Sequence, residues 1–343
     1  MSAFIGIIGA VIAGVFNGSY GVVMKVTKKW EWENIWLLFS VPALVVFPWI
    51  FAVWSVPGLF DVYSKVPGGV LARTFLLGAG WGMGSVFFGL GMYLLGVSLG
   101  YTIMMGIIAA AGALIPMLVT NPASVFKTGG LVIIMAMLVS IAGVVFCGMA
   151  GAIRDKSLQE QQTQANRPKF KSGFLVCMVA AVLSSMLNLA FHFGAPIAET
   201  AKANLAGAAI AFRANNAIWS LALLGGFIPN FLYCGFLVLR KGTWKKYSQA
   251  GTGSYWFWGI VMGGIFTGSL MIYGAAASAM GKMGTTVGWL VFITAGILMG
   301  NLWGIFTGEW KQAPKKAHIR MLQGCLLLVC SVILVSIGNY LLG

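Results

Sequence analysis

Long apolar runs separated by short polar stretches predict ten membrane-spanning helices, at about 3–24, 34–55, 70–94, 98–119, 130–152, 172–194, 210–238, 256–278, 285–306 and 321–341. Only one hydrophilic stretch is long, Arg154 to Lys171, and it lies near the midpoint. It divides the chain into residues 1–153, a linker over 154–171, and residues 172–343, with five predicted spans on each side. An odd number of spans before a linker makes the second half enter the membrane in the opposite sense, as in an inverted repeat. Internal similarity fits that arithmetic. Asn17-Gly-Ser-Tyr20 in span 1 matches Asn188-Leu-Ala-Phe191 in span 6. Phe88-Gly89, Gly96 and Gly100 match Tyr273-Gly274, Gly281 and Gly284. Small residues punctuate the whole stretch 78–100, and small residues let helix backbones approach closely in lipid. The charged stretch Ala195–Asn216 leaves open whether span 7 starts late or is interrupted. Pro42, Pro48, Pro116 and Pro229 are expected kinks.

Composition sharpens this picture. Hydrophobic residues make up 59% of the 343 and charged residues 8%, where a soluble domain carries about a quarter charged. The five cysteines lie inside apolar runs with no metal-like spacing, so small buried thiols are expected, not disulfides. Met-Ser-Ala-Phe-Ile-Gly lacks the basic region of a cleaved signal peptide, so the first run is expected to stay as a span. The net charge of +15 does not imply nucleic acid, because most Lys and Arg alternate by loop. Lys25, Lys28 and Lys29, the linker cations, Arg240 to Lys246, and Lys311 to Arg320 all fall in loops 1–2, 5–6, 7–8 and 9–10. The positive-inside rule makes those loops cytoplasmic and places both termini outside.

Lys28-Lys-Trp-Glu-Trp-Glu-Asn-Ile-Trp36 is similar to the Lys-Lys-Trp-x-Trp-Glu-x-x-Trp signature of the L-rhamnose–proton symporter family, a branch of the drug/metabolite transporter superfamily. Agreement continues through Gly78-Ala79, Trp81-Gly82, Gly84, Gly89-Leu90, Met92, Leu95-Gly96, Ser98 and Gly100. It extends to Ser184, Pro196, Gly225-Gly226 with Asn230, Gly263-Gly264, Gly304 and Glu309-Trp310. The resemblance implies an all-α fold of two inverted five-helix repeats in a bacterial inner membrane. It also implies alternating-access import of L-rhamnose or a related deoxy sugar with protons, and periplasmic termini. The chain departs from the family's polar pattern at Ser85-Val-Phe-Phe88 and in the second half of span 8, so the substrate is less fixed than the fold. A facilitator or exporter of another metabolite without proton coupling is the alternative, and a receptor or scaffold using the glycine-rich surfaces is a third reading.

A sugar site needs hydrogen-bonding groups and aromatic rings facing a cavity. The residues singled out for it are Asn17, Tyr20, Trp81, Ser85, Ser184, Asn188, Tyr273, Trp289 and Asn301. Each has a plainer reading: Ser and Thr bond their own helix, and Trp anchors at the interface. Asn230 is a further amide within a span. For proton coupling, His192 is the titratable group near neutrality inside a span, one turn after Asn188. Glu33 opens span 2, where an ion pair with Lys28 or Lys29 is its structural alternative. Glu309-Trp310 reads as an anchor ending span 9, and Lys25 as a snorkelling cation. No catalytic, metal-binding or cofactor constellation stands out, so an enzyme is not expected. The partners expected are a sugar, protons and the bilayer, with no nucleic acid.

Overall fold

The computed structural model describes residues 2–95, 97–120, 122–159, 170–207 and 209–342. Gly96 of the glycine pattern and linker residues 160–169 lie outside the described residues, in which every regular element is helical. The chain runs through α1 (Ser2–Ser19), α2 (Trp32–Val41), α3 (Phe47–Ser55), α4 (Leu59–Lys65), α5 (Gly68–Leu95) and α6 (Val97–Thr120). It continues through α7 (Thr128–Gln159), α8 (Phe170–Phe193), α9 (Ala195–Lys202), α10 (Ile210–Arg240), α11 (Gly253–Ala279), α12 (Trp289–Phe306) and α13 (Lys315–Leu342). Among the described residues, nine helical stretches are long and apolar enough to cross a membrane. The apolar part of α6, the predicted fourth span, is shorter, at Ile103–Val119.

Two expectations about kinks and boundaries resolve. α2 and α3 form one span joined by a π-helical turn at Pro42–Val46. Pro42 cannot donate a backbone hydrogen bond and crowds the preceding turn, and such sites commonly relax into a π bulge. Thr267 of α11 supports this turn by donating its hydroxyl to the Ala43 carbonyl at 2.8 Å. The seventh span begins at Ile210, directly after Ala209 in the left-handed region (φ 57°). The charged stretch before it forms α9, where Lys202 and Glu199 pair at 2.7 Å. Arg213, in the first turn of α10, ties that helix to the end of α3 by donating Nε to the Ser55 carbonyl at 3.1 Å.

Close backbone contact organises the bundle. α5 lies between α8 and α10, α1 between α11 and α12, α6 against α7 and α8, and α7 along α13; α10 also meets α2 and α3. At the α5–α10 crossing a Cβ on Gly78 would overlap the Ala222 carbonyl, and one on Gly225 the Phe75 carbonyl. Lipid offers no hydrophobic force between helices, so this van der Waals fit is what joins them.

The Lys28–Trp36 signature binds one end of the bundle together. Trp30 is buried. Its Nε1 donates to the Lys246 carbonyl at 2.9 Å, and its ring meets Tyr247, Tyr255 and Trp256 edge-on. Asn34 donates Nδ2 to the Thr243 carbonyl at 3.0 Å, and Tyr247 donates its hydroxyl to the Asn34 carbonyl at 3.0 Å. Nearby, Lys25 pairs with Glu309 at 2.7 Å, while the Arg154 guanidinium lies over Trp310 at 4.9 Å. Trp310 is only 6% exposed, so it fills an inter-helix gap and is not a lipid-facing anchor. The helix ends gathered here make this the basic end.

Glu31 caps this region through Lys246 Nζ at 2.6 Å. The hydrogen bond and charge of Lys246 hold the Glu31 carboxyl below its usual 4.5. A carboxyl lowered by folding stabilises above its unfolded value, and the contribution is lost as pH falls below about 4.5. Glu31 is half exposed and Lys246 partly so, so Glu31→Gln is expected to cost less than about 1 kcal/mol at neutral pH. Thermal unfolding of the two proteins in detergent should show the difference vanishing on acidification.

Candidate functional site

A cavity of about 820 Å³ opens from the middle of the bundle toward the basic end. α1 and the 3₁₀ turn after it bring Asn17 and Tyr20 to its wall. α2 brings Trp36 and Phe39, α5 brings Trp81 and Ser85, α8 brings Ser184, α10 brings Asn230, α11 brings Phe266 and α12 brings Trp289. Rings form one side. Trp81 stacks on Phe266 (5.9 Å between centroids, 16°). Tyr20 stacks on Phe39 (5.7 Å, 16°) and meets Phe266 edge-on at 5.3 Å.

Uncharged polar groups punctuate this surface. Trp36 Nε1 and Ser85 Oγ both donate to Asn230 Oδ1, at 3.1 and 2.6 Å, and Asn230 donates Nδ2 to the Gly226 carbonyl at 2.9 Å. This node fixes α2, α5 and α10 on one wall. Asn17 donates weakly to Ser269 Oγ at 3.5 Å, which leaves its carbonyl oxygen for a ligand. Among the described residues the Tyr20 and Ser184 hydroxyls have no hydrogen-bond partner, so both are available to a solute.

Among the described residues lining the cavity, the one charged side chain is Lys241. Glu33 is fully buried. Its Oε1 lies 3.3 Å from Lys241 Nζ and accepts from Thr243 Oγ1 at 3.4 Å, while Oε2 is buried without a partner. Lys241, half exposed, lines the cavity. The ion pair of Glu33 is therefore with Lys241 and not with Lys28 or Lys29. Burying a carboxylate is costly unless it is paired and hydrogen-bonded, and here only one of the two oxygens is.

Of the residues singled out from sequence, Asn17, Tyr20, Trp81, Ser85, Ser184 and Trp289 line the cavity. Asn188 and Tyr273 lie beyond its closed end, where the Tyr273 hydroxyl donates to Asn188 Oδ1. Asn188 Nδ2 donates to the Gly112 and Thr285 carbonyls at 2.7 and 2.8 Å. This clamp joins α6, α8, α11 and the π turn at Gly284–Gly288. Tyr273 packs against Trp289 and Phe292 at 5.6 and 4.9 Å, and Trp289 Nε1 donates to the Ile108 carbonyl at 3.0 Å. Trp289 is thus the floor between clamp and cavity. His192 faces Thr285 Oγ1 at 3.0 Å on the same side as the clamp. Asn301 stands apart, with Nδ2 3.4 Å from Cys147 Sγ and 3.9 Å from Cys325 Sγ. Trp36, Phe39, Phe266 and Lys241 were not anticipated; the one available signal was Trp36, the last residue of the signature.

Apolar helices of membrane-crossing length around a solute-sized cavity define a polytopic membrane protein. Over residues 1–340 the chain matches the family described as L-rhamnose-proton symport protein (RhaT), and it belongs to that family, one of symport proteins and not of enzymes. It is 25% identical over 342 residues to the L-rhamnose-proton symporter of Yersinia pestis bv. Antiqua (strain Antiqua), covering 97% of this chain and 96% of that one. It is 24% identical over 343 residues, with the same coverage, to the L-rhamnose-proton symporter of Yersinia pseudotuberculosis serotype O:3 (strain YPIII).

Proposed function

We propose that this protein imports L-rhamnose or a related deoxy sugar across a bacterial inner membrane, driven by protons, through alternating access. The observation that carries the reading is the aromatic cavity ending at half-exposed Lys241 and its buried partner Glu33. A deoxy sugar has C–H faces and a methyl group for the rings of Trp81, Phe266 and Tyr20. Its hydroxyls meet Asn17, Ser184 and the Tyr20 hydroxyl. The cavity leaves room for water to accompany a monosaccharide, as suits a state open on one side.

The basic end is cytoplasmic by the positive-inside rule, so this is an inward-open state with both termini periplasmic. Ten spans in two inverted repeats, in the manner of the drug/metabolite transporter superfamily, are supported by the way the helices pair. Exchanging each span with its counterpart turns α5–α8 into α11–α1, α1–α12 into α8–α6, and α5–α10 into α11–α2, and returns α7–α13 to itself; all of these pairs are in contact. In the same exchange Trp81 and Phe266 trade places. Of the two titratable groups, Glu33 adjoins the cavity and is assigned the proton. Protonating it removes the counter-charge that holds Lys241, which frees α10 to move against α2. His192 is assigned to the closed end, beside the clamp.

The test is uptake of labelled L-rhamnose by vesicles containing the purified protein, with and without an inward proton gradient. Accumulation above equilibrium with the gradient, and equilibration without it, is expected. Absence of rhamnose-dependent uptake in both conditions overturns the sugar assignment, and identical equilibration in both supports the uncoupled facilitator instead.

A further inference from the structure

Two buried polar atoms on α10 have no partner: the carboxamide oxygen Oδ1 of Asn216 and the indole nitrogen Nε1 of Trp219. Asn216 is 1% exposed and Trp219 fully buried. Each has lost water without gaining a hydrogen bond, an arrangement that folded proteins rarely keep without a use for it. The two residues are three apart and so share a helix face. Asn216 spends its Nδ2 on Ser55 Oγ at 2.9 Å, which leaves only the acceptor. Trp219 is stacked on Phe191 (4.7 Å, 10°) and lies against Tyr273 at 6.2 Å. That position is beyond the closed end of the cavity. Arg213, one turn away, donates to the Ser55 and Ala206 carbonyls, so the charge nearest this face is already engaged.

The same arrangement occurs at the open end. Glu33-Asn34-Ile35-Trp36 on α2 parallels Asn216-Ala217-Ile218-Trp219 on α10, and these helices are counterparts in the proposed repeat. Glu33 also keeps one buried oxygen without a partner. Trp36 lines the open cavity, where its Nε1 holds Asn230. The difference between the two ends is one of charge: an amide stands where the open end has a carboxylate.

We infer that Asn216 and Trp219 form a second solute subsite, closed here and exposed when the opposite end opens, that takes a neutral hydroxylated molecule. One acceptor and one donor within a helical turn match a hydroxyl group, which both gives and accepts a hydrogen bond. Without a titratable group, this subsite binds the solute and carries no proton. The atoms are unpaired here because their partner reaches them only in the other state. The inference rests on the alternating-access part of the transport reading.

Asn216→Cys, in the otherwise unchanged chain, is treated with a membrane-impermeant maleimide from the side opposite the basic end, and modified peptides are identified by mass spectrometry. It should react at about 1–10% of the rate of Ala203→Cys, which is exposed at that end, the share expected of a minor open state. No reaction above that of the unsubstituted protein overturns the inference. Trp219→Phe removes the donor and keeps an aromatic six-membered ring, leaving a small cavity where the five-membered ring was. It should lower thermal stability as a core cavity does, and raise the half-saturating L-rhamnose concentration for uptake from that side by about three- to tenfold. An unchanged half-saturation also overturns it. If the unsubstituted protein moves no L-rhamnose, the sugar assignment fails, and the maleimide result still decides whether this face opens.

Discussion

Glu33→Gln is expected to abolish proton-driven accumulation of L-rhamnose in vesicles while sparing exchange of the sugar across the membrane. Glutamine keeps the volume of the side chain and can still accept from Thr243, but it cannot take up or release a proton. The substitution leaves Lys241 without its counter-charge, and Lys241 is half exposed, so water can solvate it. The fold should therefore survive, and labelled sugar should still equilibrate by exchange. The reverse substitution behaves differently. Lys241→Met leaves the fully buried Glu33 carboxylate without its cation, an uncompensated buried charge that should lower stability. Thermal unfolding should separate the two variants: little change for the first, a loss for the second. Normal accumulation by Glu33→Gln would place the proton on another group.

Gly78→Val is expected to prevent assembly of the bundle, and Gly78→Ala to cost about 1–3 kcal/mol as overpacking. The new Cβ would overlap a backbone carbonyl of α10, and backbone cannot swing aside as a side chain can. The two helices would have to separate along a crossing where packing is the main attraction. Gly89, on the same helix, has nothing within 4 Å of its would-be Cβ. Gly89→Ala should therefore stabilise slightly, by up to about 1 kcal/mol, through helix propensity. Opposite signs at the two positions, read as unfolding temperature in detergent, are the expected result; equal effects would mean the close approach contributes nothing.

That contrast shows where the sequence was informative. The spans were readable because hydrocarbon demands about twenty apolar residues per helix, and the α10 start at Ile210 came out where the apolar run begins. The glycine stretch 78–100 could be seen to permit close approach, but not which of its glycines uses it. That depends on Ala222, which belongs to another span. The amides show the same limit. Asn17, Asn188, Asn230 and Asn301 look alike as polar groups in apolar runs. Yet Asn188 is taken up by carbonyls 76 and 97 residues away, Asn301 by two thiols, and only Asn17 and Asn230 face the cavity. Periodicity assigns a residue to a helix face; it does not say what that face meets. Glu33 was visible because it stands in the Trp-Glu signature. Its hydrogen-bond donor Thr243 lies 210 residues further on, and Lys241 comes from the same distant turn, so its burial was not visible.

Under the proposed repeat, the stacked pair Trp81–Phe266 takes one ring from each half of the chain. Two stacked rings on one wall of the cavity, one from each half, would put both halves against the same solute. A change in either ring should then alter inward and outward passage together, by a common factor. Changes at Trp36 or Trp219 should bias one direction over the other. On the proposed transport cycle, the direction of flow and the choice of sugar would then be separable, set by different tryptophans.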